Sequence, residues 1–165
     1  MAQRFLDRYP QVETATVTAT ETKWARMTVG GAPHAHAFVL DNNGHPYAQV
    51  TASREGAAIT SGLSGFTFMK TTASGWADYH MDPYTTIKPT RDRMCATAML
   101  ASWRWSQKPA DYSADNGLIL TTMLDVFAST HSDSVQDSLY RMGTAALGAV
   151  PEIADIARLP EQALS

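Results

Sequence analysis

Histidines in the first third of the chain are the first residues whose types and spacing suggest chemistry. His34 and His36 lie two residues apart, so both imidazoles would lie on one face of a β-strand, and His45 follows nearby. Imidazoles bind zinc or copper when further ligands complete the site. Because no Cys, Asp or Glu stands at ligand spacing beside them, the pattern favours a structural strand face and predicts no metal site.

A second cluster contains the residue types of a serine hydrolase. His131, Ser132, Asp133 and Ser134 follow one another directly. A catalytic triad requires residues that converge in space from different parts of the fold, and sequence neighbours do not do so. The pattern favours a helix start instead, with Asp133 as the N-cap and Gln136 closing a variant of the capping box.

The hydrophobic periodicities predict an α+β fold, in which an antiparallel β-sheet carries helices on one face. The predicted strands cover residues 11–27, 34–40, 47–54, 57–72, 92–105 and 153–159, and the predicted helices cover residues 2–9, 113–129 and 133–149. In the strand 92–105, one face is small because it carries Ala96 and Ala98, so we expect a helix to pack there. The irregular stretch 73–90 contains glycine and two prolines.

The two long helices each carry an apolar stripe at helical spacing. The stripes are Leu120, Met123, Leu124 and Phe127 in the first, and Val135, Leu139, Met142 and Ala146 in the second. The turn at residues 41–44 predicts a module boundary, with residues 1–43 as the C-terminal part of a first module and residues 44–165 as the N-terminal and central part of a second.

Composition excludes several classes of partner. The 165 residues contain 13 Lys plus Arg against 16 Asp plus Glu, a net charge of -3, so no surplus of positive charge favours nucleic acid. No uncharged apolar run approaches the roughly 20 residues that span a bilayer. The single cysteine, Cys95, cannot form an internal disulfide, and residues 1–9 lack the apolar region of a signal peptide, so we expect a cytoplasmic protein.

Further motifs occur in order along nearly the whole chain. They are His34-Ala35-His36-Ala37-Phe38, the segments 69–76, 82–87 and 92–97, Trp103-Arg104-Trp105, the segment 130–136, and Leu139-Tyr140-Arg141-Met142. Their spacing and residue types closely resemble the urate oxidase (uricase) family. The resemblance implies the tunnelling fold (T-fold), in which tandem antiparallel modules form a homotetrameric barrel with active sites between subunits. It also implies oxidation of urate by O2 to 5-hydroxyisourate and hydrogen peroxide, with no metal and no organic cofactor.

The resemblance implies four substrate-binding residues: Trp76, Arg93, Val135 and Gln136. Urate is planar and anionic and is edged with carbonyl oxygens and ring nitrogens. Arg93 matches the family's binding arginine, whose fork can donate two parallel hydrogen bonds to such an edge. Gln136 matches the amide that reads the opposite edge, and the backbone N–H of Val135 could serve another carbonyl.

Three of these residues also have a structural alternative. Arg93 could form an ion pair with Asp92 or Asp82, and Gln136 could serve only in the capping box. Trp76 stands where the family has a phenylalanine beneath the purine; an indole can stack in the same way, or it can simply anchor a buried loop.

The resemblance fails at the catalytic groups. The family's catalytic lysine and threonine lie on strands upstream of anything present here, and neither Lys23 nor Lys70 occupies their positions. The family's downstream Leu-Pro-Asn-Lys-His is replaced by Leu-Pro-Glu-Gln-Ala, so Glu161 and Ala163 stand in place of the asparagine and the histidine. We therefore expect no retained catalytic residue and little activity in the isolated chain.

Two hypotheses follow from the presence of the binding residues and the absence of the catalytic ones. In the first, the chain is a fragment or a split subunit of a urate oxidase, with a complementing chain or a second copy joined across the sheet edges. In the second, it is a non-catalytic T-fold subunit that binds a purine or serves in assembly.

Overall fold

The computed structural model describes residues 1–86 and 88–164, with side chains described up to residue 157. The helices are α1 (Ala2–Arg8), α2 (Tyr112–Ser129) and α3 (Val135–Ala149). The strands are β1 (Thr14–Thr20), β2 (Lys23–Val29), β3 (Ala32–Asp41), β4 (His45–Ser53), β5 (Ala57–Lys70), β6 (Cys95–Trp105) and β7 (Ile153–Leu164).

Five strands form one antiparallel sheet in the order β1-β4-β5-β6-β7. The strands β2 and β3 form a separate two-stranded sheet, a hairpin that turns at Gly30 and Gly31. With α2 and α3 packed on the large sheet, the predicted α+β fold is confirmed.

The core lies between the sheet and the two long helices. On β6 the burial alternates, with the face of Cys95, Met99 and Trp103 buried against Met123 of α2 and Met142 of α3. The expectation that a helix packs on the alanine face of this strand is therefore wrong. The larger side chains remove more apolar area from water, and the tryptophan N–H groups are satisfied there, that of Trp103 by the side chain of Asn116 at 2.8 Å.

The predicted strand 11–27 is also wrong as one element, because it divides at Glu21 and Thr22 into β1 and β2. β1 pairs with β4 in the large sheet, whereas β2 pairs with β3 in the hairpin. The backbone N–H of Glu21 donates to the carbonyl of Pro46 at 2.8 Å, which holds the chain where it changes sheets. The module boundary after residue 43 stays a prediction; β1 and β4, from its two sides, share one sheet.

Gly44 is required by both its backbone and its surroundings. Its φ is +82°, and a Cβ there would lie 2.9 Å from the ring of Phe66 and 3.0 Å from a methyl group of Leu63. We expect Gly44→Ala to lower the free energy of unfolding by about 2–4 kcal/mol, from left-handed strain and overpacking together.

Gly31→Ala is the matched control for this prediction, because Gly31 also has a φ of +82° but a Cβ there would meet no atom within 4 Å. Only the strain, roughly 1–2 kcal/mol, should apply to it. Equal losses in urea denaturation of the two variants would show that the contact with Phe66 has no energetic effect.

Candidate functional site

The candidate residues lie where three distant segments meet, and backbone hydrogen bonds join these segments. The N–H of Gly75 donates to the carbonyl of Ser132 at 2.7 Å, and the N–H of Ser132 donates to the carbonyl of Ala73 at 3.0 Å. The N–H of Arg93 donates to the carbonyl of Ser74 at 2.8 Å. Ser74 and Ser132 are each 2% exposed, so this joint is buried and well defined. We call it the Ser74–Ser132 joint.

Trp76 and Arg93 come together at this joint. Trp76 pairs in both directions with Thr90, through N–H to carbonyl distances of 2.6 and 2.8 Å. The guanidinium carbon of Arg93 lies over the indole, 5.7 Å from the ring centroid, within the range of a cation–π contact. Tyr79 packs beside the indole, with ring centroids 5.4 Å apart.

Arg93 does not form the ion pair that its structural alternative requires. Among the described residues, the carboxylate of Asp92 accepts hydrogen bonds from the hydroxyl of Thr72 at 2.8 Å and the N–H of Ala73 at 3.2 Å. That carboxylate closes the loop that carries Trp76, and no described ion pair involves Arg93. The guanidinium fork is exposed and has charge-assisted donors available for a ligand.

Strain is concentrated in the loop around Trp76. Ala73 and Asp78 have φ values of 57° and 60°, and they are the non-glycine residues with positive φ in the described part of the chain. Residues held in this region cost about 1–3 kcal/mol each and are enriched at ligand-binding loops. The indole Nε1 of Trp76 and the hydroxyl of Ser132 are buried and have no hydrogen-bond partner within the described residues.

The N-terminus of α3 supplies the third part of the site. Val135 and Gln136 are its first two residues, with Val135 half-buried and Gln136 exposed. The first turn of a helix leaves N–H groups free of intrahelical partners and favours an anion. Because Ser132 belongs to the joint and lies two residues before the N-cap of α3, the joint fixes the start of this helix next to the loop that carries Trp76.

The prediction that Asp133 is the N-cap of this helix is wrong by one residue. Ser134 is the N-cap, and its hydroxyl accepts the N–H of Asp137 at 3.1 Å. The capping interaction therefore leaves Gln136 out, and the side chain of Gln136 is available for another role. Asp133 instead lies 3.6 Å from the imidazole of His131, on the surface.

Ser134→Ala should lower the free energy of unfolding by about 0.5–2 kcal/mol, because the N–H of Asp137 loses its acceptor. The same change at the predicted cap, Asp133→Ala, should cost less than about 0.5 kcal/mol, since its side chain is 76% exposed. Thermal or urea unfolding of the pair checks this, and a larger loss for Asp133→Ala would favour Asp133 as the cap.

Lys70 lies close to the site but has a structural role. Its ammonium group donates to the carbonyls of Thr130 at 2.8 Å and Phe127 at 3.2 Å, at the C-terminal end of α2. Burial lowers the pKa of Lys70, and the charge of Arg141 adds to the effect, while Cys95 opposes it. These contacts satisfy helix carbonyls that would otherwise be unpaired, so Lys70 is a helix-capping cation. No pattern in the sequence indicates this role.

Neither of the two described cavities near the joint is lined by all four candidate residues. A cleft of about 680 Å³ next to the joint is lined by Gly75, Tyr79 and His131, among others, but by none of the four candidates. Val135 instead lines a small apolar cavity of about 20 Å³ with Phe68 and Met142. A ligand on these four residues would therefore need further groups to cover it.

The remaining candidates are placed as follows. His34 and His36 are stacked edge to face with ring centroids 4.7 Å apart, and among the side chains that the structure describes, in residues 1–86 and 88–157, no group of three or more His, Cys, Asp or Glu could hold a metal ion. None of the helices in those ranges is long and apolar enough to cross a membrane. The side chains of Glu161, Gln162 and Ala163, and residue 87 of the motif 82–87, lie outside what the structure describes.

Known proteins match this chain over most of its length. A family profile described as Uricase matches residues 1–51 and 59–162. Uricase-2 isozyme 1 of Canavalia lineata is 35% identical over 169 aligned residues, which cover 94% of this chain and 55% of that protein. Uricase of Dictyostelium discoideum is 31% identical, with coverage of 94% and 55%.

Solved structures give the same result. The crystal structure of uricase from Arthrobacter globiformis superposes with a TM-score of 0.86 at 31% identity, over 94% of this chain and 53% of that one. A uricase from Bacillus fastidious, at 21% identity and a TM-score of 0.82, shows the shared fold. The chain spans about half the length of the curated relatives it matches. With the profile matched over most of its residues and the uricase T-fold present, the chain belongs to the uricase family.

Proposed function

We propose that this chain supplies the purine-binding floor of a urate-oxidising site. The observation that carries the proposal is the Ser74–Ser132 joint, which brings Trp76, Arg93 and the first turn of α3 to one place. In this proposal urate lies on the indole of Trp76, the fork of Arg93 donates to one edge, and Gln136 with the N–H of Val135 serves the opposite edge.

The physical character of the floor supports an anionic, planar ligand. A cationic fork beside a half-buried aromatic ring suits a flat anion, because stacking and charge-assisted hydrogen bonds act on the same molecule. The free N–H groups at the start of α3 add a partial positive charge. Each polar edge of the ligand would then meet a donor that the folded chain already holds in position.

The groups that deprotonate urate and hold oxygen are proposed to come from outside the described floor. In the segment that resembles the family's Asn-Lys-His, Glu161 would place a negative charge near a urate anion, and Ala163 has no proton to exchange. O2 and urate are therefore proposed as substrates of the complete site, with the missing groups supplied by further polypeptide. No metal or organic cofactor enters this proposal.

We propose that this further polypeptide joins across the sheet edges. β1 is an edge strand of the large sheet, and the β2–β3 hairpin carries exposed Trp24, Phe38 and Val39, which are 61%, 45% and 54% exposed. Such unpaired edges and apolar surfaces favour association with a second copy or a complementing chain. The buried, unpaired thiol of Cys95 supports a reducing compartment such as the cytosol.

Two measurements on the purified chain test the proposed function. Isothermal titration with urate under nitrogen should show saturable binding, and the same chain in air should release little peroxide. Absence of urate binding would contradict the proposed floor. Peroxide release at the rate of a complete uricase would contradict the claim that the missing groups are essential.

A second candidate is a non-catalytic purine-binding or assembly subunit, which the residues at 161 and 163 favour. The two functions separate when the chain is mixed with a polypeptide that carries the family's upstream Lys-Thr strands and its Asn-Lys-His segment. Restored peroxide release supports the enzyme, whereas binding without restoration supports the non-catalytic subunit.

A further inference from the structure

Arg141 connects the helix α3 to the segment that precedes it. Its guanidinium donates to the carbonyl of His131 at 2.8 Å and to the carboxylate of Asp137 one turn back along the helix. It also lies 3.8 Å from the carboxylate of Asp133. The side chain is 34% exposed, so these contacts are only partly screened by water.

The contact with His131 reaches the Ser74–Ser132 joint directly. His131 is the neighbour of Ser132, whose N–H and carbonyl form the two hydrogen bonds to the loop of Trp76. His131 also lies beside Gly75: a Cβ placed on Gly75 would be 3.4 Å from Nε2 of the His131 imidazole. The carbonyl of His131 and the N–H of Ser132 belong to one planar peptide group, so a displacement of this carbonyl would move the N–H that donates to Ala73.

Arg141 also balances charge at the start of α3. Asp133 comes just before the N-cap Ser134 and Asp137 belongs to the first turn of α3, so two carboxylates belong to the N-terminal end of this helix. Without a nearby cation these carboxylates would repel an anion that approaches the helix N-terminus. Arg141 contacts both of them, so it leaves the free N–H groups able to serve an anionic ligand.

We propose that Arg141 is a positioning residue for the purine floor, which holds the Ser74–Ser132 joint and neutralises the carboxylates beside α3. This inference rests on the proposed function, since it concerns the same site. Arg141 acts through His131, Asp133 and Asp137 and does not itself touch the ligand. In the sequence it stands within the helix motif 139–142, and no pattern there indicates its partners.

The test uses Arg141→Met, with Arg104→Met as the matched control. Arg104 makes a comparable surface ion pair with Asp155, with side chains 53% and 55% exposed, on strands β6 and β7. Urate affinity is measured by titration under nitrogen. We expect Arg141→Met to raise the dissociation constant about tenfold, on the order of one charge-assisted hydrogen bond, and Arg104→Met to leave it within about twofold.

Native-state amide exchange distinguishes a local change at the Ser74–Ser132 joint from a general loss of stability. In Arg141→Met, the amides of Gly75 and Ser132 should exchange at least about tenfold faster, while the buried amide of Met99 in β6 exchanges as in the wild type. Arg141→Lys keeps the positive charge but cannot bridge both acceptors with a planar fork. It should recover part of the affinity without recovering the slow exchange, and it serves as the second variant if Arg141→Met does not fold.

The outcomes separate the two proposals. If the wild type binds urate and Arg141→Met binds equally well, or Arg104→Met weakens binding as much, the role of Arg141 is refuted while the floor stands. If binding weakens but exchange at Gly75 and Ser132 is unchanged, the positioning mechanism is refuted. If the wild type itself does not bind urate, the proposed floor fails, and the role of Arg141 fails with it.

Discussion

Replacing Arg93 by methionine should weaken urate binding about 10- to 100-fold, the largest effect that we expect from any change at the floor. The methionine keeps the apolar stem but removes the fork that lies over Trp76. Hydrogen bonds to a charged group contribute about 1.5–3 kcal/mol, which corresponds to that range of affinity. The urate affinity of Arg93→Lys should fall between those of the wild type and Arg93→Met, because an ammonium group keeps the charge but cannot donate two parallel hydrogen bonds to one edge.

Arg91→Met is the matched control for this experiment. It removes the same charge only two residues away, but Arg91 forms an exposed ion pair with Asp78 at 3.2 Å, with side chains 79% and 77% exposed. Its loss should change the dissociation constant less than about threefold, because an exposed ion pair contributes little to the position of the loop and the charge is screened by salt. Equal weakening by Arg91→Met and Arg93→Met would indicate general electrostatic attraction and would remove Arg93 from the site.

Met123→Ala should lower the free energy of unfolding by about 2–5 kcal/mol, the largest effect that we expect on stability. Met123 is 0% exposed on α2 and packs with Met99 of β6 between helix and sheet. The truncation leaves a cavity in the layer that joins these elements. Urea denaturation monitored by circular dichroism measures the loss.

Leu118→Ala is the control on the same helix, since Leu118 is 46% exposed. Its truncation leaves no buried cavity, and alanine is a good helix former, so the change should stay within about 0.5 kcal/mol. A loss for Met123→Ala as small as that for Leu118→Ala would contradict the assignment of the core.

Much of the fold could be predicted because its elements carry strong local signals. The apolar stripe of α3 recurs at helical spacing, and Met142 and Ala146 are buried as predicted. In α2 the prediction of Met123 and Phe127 is confirmed, and Ile119 is buried as well. The turn at residues 41–44 is present, with Gly44 at positive φ.

The errors arose where the deciding interaction is long-range. Threonine and valine continue on both sides of Glu21, so only the pairing with β4 and β3 divides the strand. Asp133 and Ser134 are both good N-cap residues, so the local sequence does not separate them, and in the folded chain Ser134 is the cap. Small side chains on β6 suggested a helix contact, but burial of the larger methionine and tryptophan face is more favourable.

The candidate site was only partly predictable for the same reason. Trp76, Arg93, Val135 and Gln136 were identified through the resemblance to a family, and their roles remain predictions. The structure adds what holds the three segments together, namely the hydrogen bonds of Ser74 and Ser132. Serine backbones carry no sequence signal for such a joint, because backbone N–H and carbonyl groups are the same in every non-proline residue.

The most direct measurement of the central claim is a crystal structure of this chain grown with urate under nitrogen. We predict urate stacked on the indole of Trp76, with the guanidinium of Arg93 in hydrogen-bond contact with one edge and Gln136 with the opposite edge. Urate bound elsewhere on the chain would contradict the account. So would a structure in which Trp76 and Arg93 lie apart and no ligand lies between these two residues and the start of α3.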